Sequence, residues 1–280
     1  MSVLTTVELE RLLFEDVPYG DLTTEALRIG AVGCRITFVA RSAMTVAAIE
    51  DAAALLAHVG ATAHPKTVSG ESVAAGQMLL ECEGLAAAVL RGWKVAQTLI
   101  EIWSGVATAA RRLVTAAHAG RPDTIVACTR KNIPGTKALS VAAIKAGGAI
   151  PHRLGLSETI LVFPEHRVLC STADFAALVA GLRTTSPEKK LVIEVTAVAE
   201  AIAAACAGFD VIQAEKFAPD AIAEVVAAVR DLTPRPLVAA AGGINPDNAA
   251  AYARAGADLL VTSWPYTATP MDVAVKLTAR

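Results

Sequence analysis

"AAAGGINPDNAAAYARAGADLLVTS", Ala239 to Ser263, holds every part of one βα unit and the strand that begins the next. An apolar run ends at a Gly-Gly turn, Gly242 and Gly243. Asn245, Pro246 and Asp247 then mark a helix start, an alanine-rich helical stretch follows, and "ADLLVTS" supplies another strand. The same grammar recurs back towards Asp123, where "TIVAC", "TILVF", "KLVIEV", "DVIQAE" and "PLVAAAG" are short apolar runs, most of them leading through a loop into an alanine-rich helix. The later runs recur at intervals of roughly 20 to 30 residues, which builds a parallel sheet with a β/α barrel as its natural closure. In such barrels the loops after the strands carry the chemistry. The residues just past each run are therefore the candidates: Arg130 and Lys131, Pro164 and Glu165, Glu194, Glu215, Gly242 and Gly243, and Ser263.

The first part of the chain, to about residue 120, reads differently. Thr5 and Glu8 form a capping box for a helix through Phe14, and "EDVPYGDLTTEAL" reads as a turn-rich loop. "GCRITFVA" and "QMLLECEG" read as strands, and "TVAAIEDAAALLAHVG" as a helix ending at Gly60. Leu85 to Ala119 reads as helix with a break at Ser104-Gly105. This half is α+β.

Composition narrows the function classes. The 280 residues are 54% hydrophobic, which provides a full core, and Lys plus Arg at 25 against Asp plus Glu at 27 gives a net charge of -2. No global basic field recruits nucleic acid or an anionic membrane, so any anion binding must be local. Five cysteines, an odd number without a C-x-x-C pair, read as small core residues in a reducing compartment. The N-terminus lacks a basic n-region and an apolar h-region, and no apolar run approaches the ~20 residues of a membrane span. The expectation is a soluble cytoplasmic protein. No H-E-x-x-H, G-x-S-x-G or Walker A sequence occurs, and "GGINPDN" is not a dinucleotide fingerprint.

Three constellations remain. The Gly-Gly turn before a helix start suits a phosphate approaching backbone N–H groups, against the plainer reading of an ordinary βα turn. Arg130, Lys131, Lys137, His152 and Arg153 gather near Pro134 and three glycines; singly each is a solvated cation, together they suit a polyanion. Glu194 and Glu215, at two strand ends, suit Mg2+ or a ribose diol, or else pair with neighbouring cations. His166 is a weaker candidate, and His58, His64 and His118 read as structural. A strand-end Schiff-base lysine, as an aldolase of this architecture would need, is not evident.

These residues, taken in order, resemble the nicotinate-nucleotide pyrophosphorylase (quinolinate phosphoribosyltransferase) family, and most closely its ModD branch, associated with molybdenum transport. "EDVPYGDLTTEAL" resembles its E-D-x-x-x-G-D-[IL]-T motif and "WSGVAT" its S-G-[VI]-A-T helix. "CTRKNIPGTKALSVAAIKAGGAIPHRLGLSE" is similar to its T-R-K-x-x-P-G segment followed by G-G-x-x-x-H-R-x-G-L, and "AAAGGINPDN" to its terminal phosphate loop. The resemblance implies an N-terminal α/β sandwich (1–110), an incomplete β/α (TIM-like) barrel (111–267), and a tail (268–280) packing back on the first domain. It implies a homodimer with sites completed across the interface. The implied reaction joins 5-phosphoribosyl 1-diphosphate and quinolinate, a carboxylated N-heterocycle, with Mg2+, into nicotinate mononucleotide with release of pyrophosphate and CO2.

By position, Arg130 and Arg153 would hold carboxylates, Lys131 and His152 the same anionic pocket and the diphosphate, Glu194 with Glu215 the ribose or Mg2+, and Gly242, Gly243 and Ser263 the 5-phosphate. Lys137 would add to substrate binding. Several positions depart from the family pattern: Lys94 replaces an arginine that reaches into a partner's site, Glu215 an aspartate, Ala241 a serine, and "VTSWPYTAT" a different tail. "LVFPEH" replaces L-I-K-D-N-H, so Phe163 stands where the family places a lysine. The rival expectation is a binding protein without turnover, serving molybdate handling.

Overall fold

The computed structural model describes residues 1–280. Along the chain run α1 (Thr6–Asp16), α2 (Leu22–Ala26), β1 (Gly33–Ala40), β2 (Met44–Thr45), α3 (Ile49–His58), β3 (Thr62–Pro65), β4 (Ser72–Val73), β5 (Met78–Leu85) and α4 (Ala86–Gly120). Then come β6 (Ile125–Cys128), α5 (Lys137–Ala146), β7 (Ile150–Pro151), β8 (Ile160–Val162), α6 (Pro164–Val168), α7 (Phe175–Thr185), β9 (Leu191–Val195), α8 (Val198–Ala207) and β10 (Val211–Glu215). The last elements are α9 (Pro219–Ala228), β11 (Leu237–Ala241), α10 (Ala249–Arg254), β12 (Leu259–Thr262) and β13 (Val273–Ala279). Two compact units form, and they do not follow a single cut: residues 1–111, 132–148 and 265–280 make the first, 112–131 and 149–264 the second.

The first unit is built on an antiparallel sheet of order β13-β1-β5-β3. Alternation along β1 buries Cys34, Ile36, Phe38 and Ala40, as a half-buried strand should. The tail joins this sheet, with Cys34 to Ala40 opposite Ala279 to Val273. Helix α3 packs on β3 and β5, and Gly92 of α4 lets that helix close on Leu55, Leu56 and Val59. The Thr5–Glu8 capping box is present. Asp21, accepting from the N–H groups of Thr23 and Thr24, starts the short α2 inside the stretch read as loop.

Helix α4 shows no break at Ser104-Gly105. The buried Ser104 hydroxyl accepts from Ala47 N–H at 3.0 Å, and a Cβ on Gly105 would stand 2.4 Å from the Thr269 carbonyl oxygen. Small residues there permit close backbone approach. The local sequence signal for a break is the same.

The second unit is a parallel sheet of order β7-β6-β12-β11-β10-β9-β8. Its central strands are buried almost continuously, as strands covered on both faces are. At the N-terminal ends two aspartates pin neighbouring strands. Asp258 accepts from Val238 N–H at 2.9 Å and pairs with Arg235 at 3.0 Å and Arg121 at 3.4 Å. Asp210 accepts from Leu191 N–H at 2.7 Å and pairs with Arg183 and Lys190.

Strands β7 and β8 are the sheet's opposite edges, yet Arg153, just past β7, lies 6.0 Å over the ring of Phe163, just past β8. The sheet is therefore curled into an incomplete barrel whose edges meet through side chains rather than a ladder. On one face Ala127, Ala239, Ala241 and Val261 pack with Val211 and Leu259. The two-residue alternation of β10 puts Gln213 and Glu215 on the same face as Val211. No helix is long and apolar enough to cross a membrane. Cys170 and Cys206 are exposed rather than core residues, whereas Cys34, Cys82 and Cys128 are buried.

Candidate functional site

Strand β6 ends at the buried Cys128, whose thiol burial pushes up to about 12, so it is no nucleophile at neutral pH. Its carbonyl accepts from His152 N–H at 2.8 Å, tying the segment after β7 to the end of β6. Thr129 Oγ1 accepts from Lys131 N–H at 3.2 Å, folding the loop so that Arg130 and Lys131 stand exposed beyond the strand. Strand β7, only two residues long, was not legible as an apolar run. It nevertheless places His152 and Arg153 on this rim.

Burial and the adjacent Arg153 lower the pKa of His152, which favours its neutral form. Arg153 is itself 8% exposed. Burial and the nearby Arg130 lower its pKa from the usual guanidinium value. It has no carboxylate partner; its contacts are a long 3.5 Å hydrogen bond to the Thr159 carbonyl and the Phe163 ring. A desolvated guanidinium with donors to spare is an anion site in waiting.

Across the sheet, Glu194 on β9 accepts from Gln213 Nε2 at 2.6 Å. Burial raises the Glu194 pKa, the Gln213 hydrogen bond opposes that, and the charges of Glu215 and Glu165 raise it further, with Lys131 pulling the other way. Glu194, Glu215, Glu165 and Lys131 thus share one electrostatic neighbourhood. Gln213 is 4% exposed and its Oε1 has no hydrogen-bond partner. Sequence reading passed it over, although its position two residues before Glu215 on a strand was the available signal.

The Gly-Gly turn closes this side. Gly242 and Gly243 have φ of 87° and 76°, and a Cβ on Gly242 would meet Lys216 Cγ at 2.6 Å and Glu215 Oε1 at 2.8 Å. Asn245 and Asn248 both donate from their side-chain amides to the Gly243 carbonyl. Asn248 Oδ1 accepts from Asn245 N–H, and Asn245 Oδ1 from Asp247 N–H. These side chains organise the loop, so α10 starts at Ala249, later than the Asn-Pro-Asp signal suggested. Thr262 Oγ1 donates to the Ile244 carbonyl at 2.8 Å, holding the end of β12 and the half-buried Ser263 beside the turn.

Phe163 caps α6: its N–H donates to His166 Nδ1 at 2.9 Å, and the two rings stack with centroids 5.7 Å apart. The rim of the second unit therefore brings together Arg130, Lys131, His152, Arg153, Glu194, Glu215, Gly242, Gly243 and Ser263. Lys94 and Lys137 belong to the first unit. Lys94 is exposed on α4, donating to Gln97 Oε1 at 2.9 Å and lying 4.1 Å over the Trp93 ring. Lys137 is exposed at the first position of α5.

No group of three or more His, Cys, Asp or Glu is placed to hold a metal ion unaided. Mg2+ carried by a diphosphate asks for only one or two carboxylates, and the crowding of Glu194 by Glu215 and Glu165 is the kind of repulsion a cation relieves.

The family model for the quinolinate phosphoribosyl transferase C-terminal domain matches residues 106–276, and that for the N-terminal domain matches residues 21–104. The chain belongs to the quinolinate phosphoribosyltransferase family. Among curated members of this family, "Putative pyrophosphorylase ModD" of Rhodobacter capsulatus is 50% identical over 258 residues, 91% of this chain and 98% of that protein. The protein of the same name from Escherichia coli O127:H6 is 39% identical, covering 99% of this chain and 98% of its own. The solved structure of the nicotinate-nucleotide pyrophosphorylase from Francisella tularensis superposes with a TM-score of 0.90 at 21% identity, covering 99% of each chain. That likeness establishes a shared quinolinate phosphoribosyltransferase fold, a sheet domain followed by the curled parallel half-barrel.

Proposed function

We propose that the protein is a pentosyltransferase that binds 5-phosphoribosyl 1-diphosphate and transfers the phosphoribosyl group to a ring nitrogen of quinolinate or a related carboxylated N-heterocycle. The observation that carries this reading is the sorting of charge around one rim. Arg130, Lys131 and the buried Arg153, which has no carboxylate partner, stand on the side of β6 and β7, with Glu194 and Glu215 at the ends of β9 and β10 and the positive-φ glycines after β11.

The acceptor nitrogen forms a bond to the ribose C1 while the C1–O bond to the diphosphate breaks, and the diphosphate departs with that electron pair. Arg130 and Lys131 stabilise the departing charge, and the carboxylates of Glu194 and Glu215 face the positive ribose carbon. The Gly242-Gly243 turn admits the 5-phosphate to backbone N–H groups, with Ser263 beside it. Glu194 and Glu215 would be the residues to hold Mg2+, which when bound would supply further charge neutralisation. The same proposal includes a homodimer in which Lys94 and Lys137 serve sites completed across the interface.

The test is pyrophosphate release by the purified protein with phosphoribosyl diphosphate, Mg2+ and a panel of carboxylated N-heterocycles. The expected result is release well above a Lys131→Ala control. Tight binding of phosphoribosyl diphosphate with no pyrophosphate from any acceptor would replace the transferase by a binding protein.

A further inference from the structure

The acceptor end of the rim contains one buried cation and an aromatic wall. Arg153 is buried and joined to no carboxylate, and its guanidinium carbon stands 6.0 Å over the Phe163 ring. His166, in the first turn of the helix that Phe163 caps, stacks on it at 5.7 Å and uses Nδ1 to accept the Phe163 N–H, so that nitrogen presents no proton to a ligand. His152 is driven towards its neutral form by burial and by Arg153. Arg130 and Lys131 are the other cations on this rim, but both are exposed. A carboxylate held by either keeps its water and gains little from the contact.

From this we infer that the protein selects a planar heteroaromatic acceptor carrying a single carboxylate, which Arg153 takes, while Phe163 excludes a second carboxylate. The inference rests on the phosphoribosyl-transfer reading and names its acceptor class. Its physical basis is the cost of desolvation. A first carboxylate entering beside Arg153 exchanges water for charge-assisted hydrogen bonds. A second one on the same ring would lose water against an aromatic side chain, with no further buried donor on this rim to replace it. The absent contact corresponds to a preference of roughly tenfold to a hundredfold for the monoacid.

The experiment is calorimetric titration of the full-length protein in the presence of Mg2+ and pyrophosphate, without phosphoribosyl diphosphate so that no transfer can occur, using nicotinate as the monocarboxylate probe and quinolinate as the dicarboxylate probe. Nicotinate is expected to bind the wild type at least about tenfold more tightly. Phe163→Lys should shift the ratio towards quinolinate by a similar factor, whereas Phe163→Leu, which keeps an uncharged wall, should retain the monoacid preference. Equal or tighter binding of quinolinate by the wild type, binding of neither acid, or an unchanged ratio in Phe163→Lys would overturn the inference. Because the readout is binding, it stands apart from turnover: a monoacid preference without pyrophosphate release supports the acceptor assignment and defeats the transferase reading.

Discussion

Glu194 is the residue whose environment most constrains its chemistry. Burial and then the charges of Glu215 and Glu165 raise its pKa, against the hydrogen bond from Gln213. With the folded pKa above the unfolded one, the folded state holds the proton more tightly. Stability therefore falls as pH rises from the unfolded carboxyl range through the raised folded value. Glu194→Gln removes the ionisation and keeps an oxygen for Gln213 Nε2. Thermal denaturation from about pH 4 to about pH 8 should show the variant gaining on the wild type as pH rises, while pyrophosphate release falls. A variant less stable at every pH would show that the carboxylate is a structural anchor rather than a strained functional group. A carboxylate kept where its charge is disfavoured suits a site that will meet a cationic carbon or a metal.

At the scale of elements, close backbone approach does what sequence reading assigns to a helix break. Gly105 lies in the uninterrupted α4, where alanine would ordinarily improve a helix by about 1 kcal/mol. A Cβ there would stand 2.4 Å from the Thr269 carbonyl oxygen and 3.2 Å from Pro270 Cα. The segment that leads into β13 would have to move, and β13 supplies one side of the β1 pairing. Gly105→Ala should thus destabilise the protein by roughly 1 to 3 kcal/mol in urea denaturation, with propensity losing to overlap. A neutral or stabilising outcome would mean that the terminal segment yields freely.

The parallel strands were legible for a related reason. Their buried apolar runs are long enough to stand out, and each named run from "TIVAC" to "ADLLVTS" contains a strand of the half-barrel. Strand β7 was not, because two residues just past a glycine turn, Ile150 and Pro151, carry no pattern.

For the whole molecule, the charge balance predicts a specific salt response. The net charge is -2, so attraction for a polyanion comes from local cations, of which Arg130 and Lys131 are exposed. Exposed charges are screened over about 8 Å at physiological ionic strength. Affinity for phosphoribosyl diphosphate should fall by roughly tenfold between about 0.05 and 0.5 M salt, while the denaturation midpoint moves little. Salt-insensitive affinity, measured by calorimetry, would place the binding energy in buried contacts instead.

What the sequence determined by itself was the alternation of runs and loops, and hence the parallel half-barrel, together with the residue types that follow each strand. Those are local properties: hydrophobic periodicity, glycine at turns and the order of motifs are written along the chain. Tertiary structure alone decided which of those residues act as a group. Arg153 became a buried, unpaired cation because the curled sheet brings the end of β7 to the end of β8, strands at opposite edges of one sheet. Gln213 became a partner of Glu194 because β9 and β10 run in parallel register. Burial and charge coupling depend on residues far apart in the chain, and they turn a set of candidate side chains into a site with a definite electrostatic character.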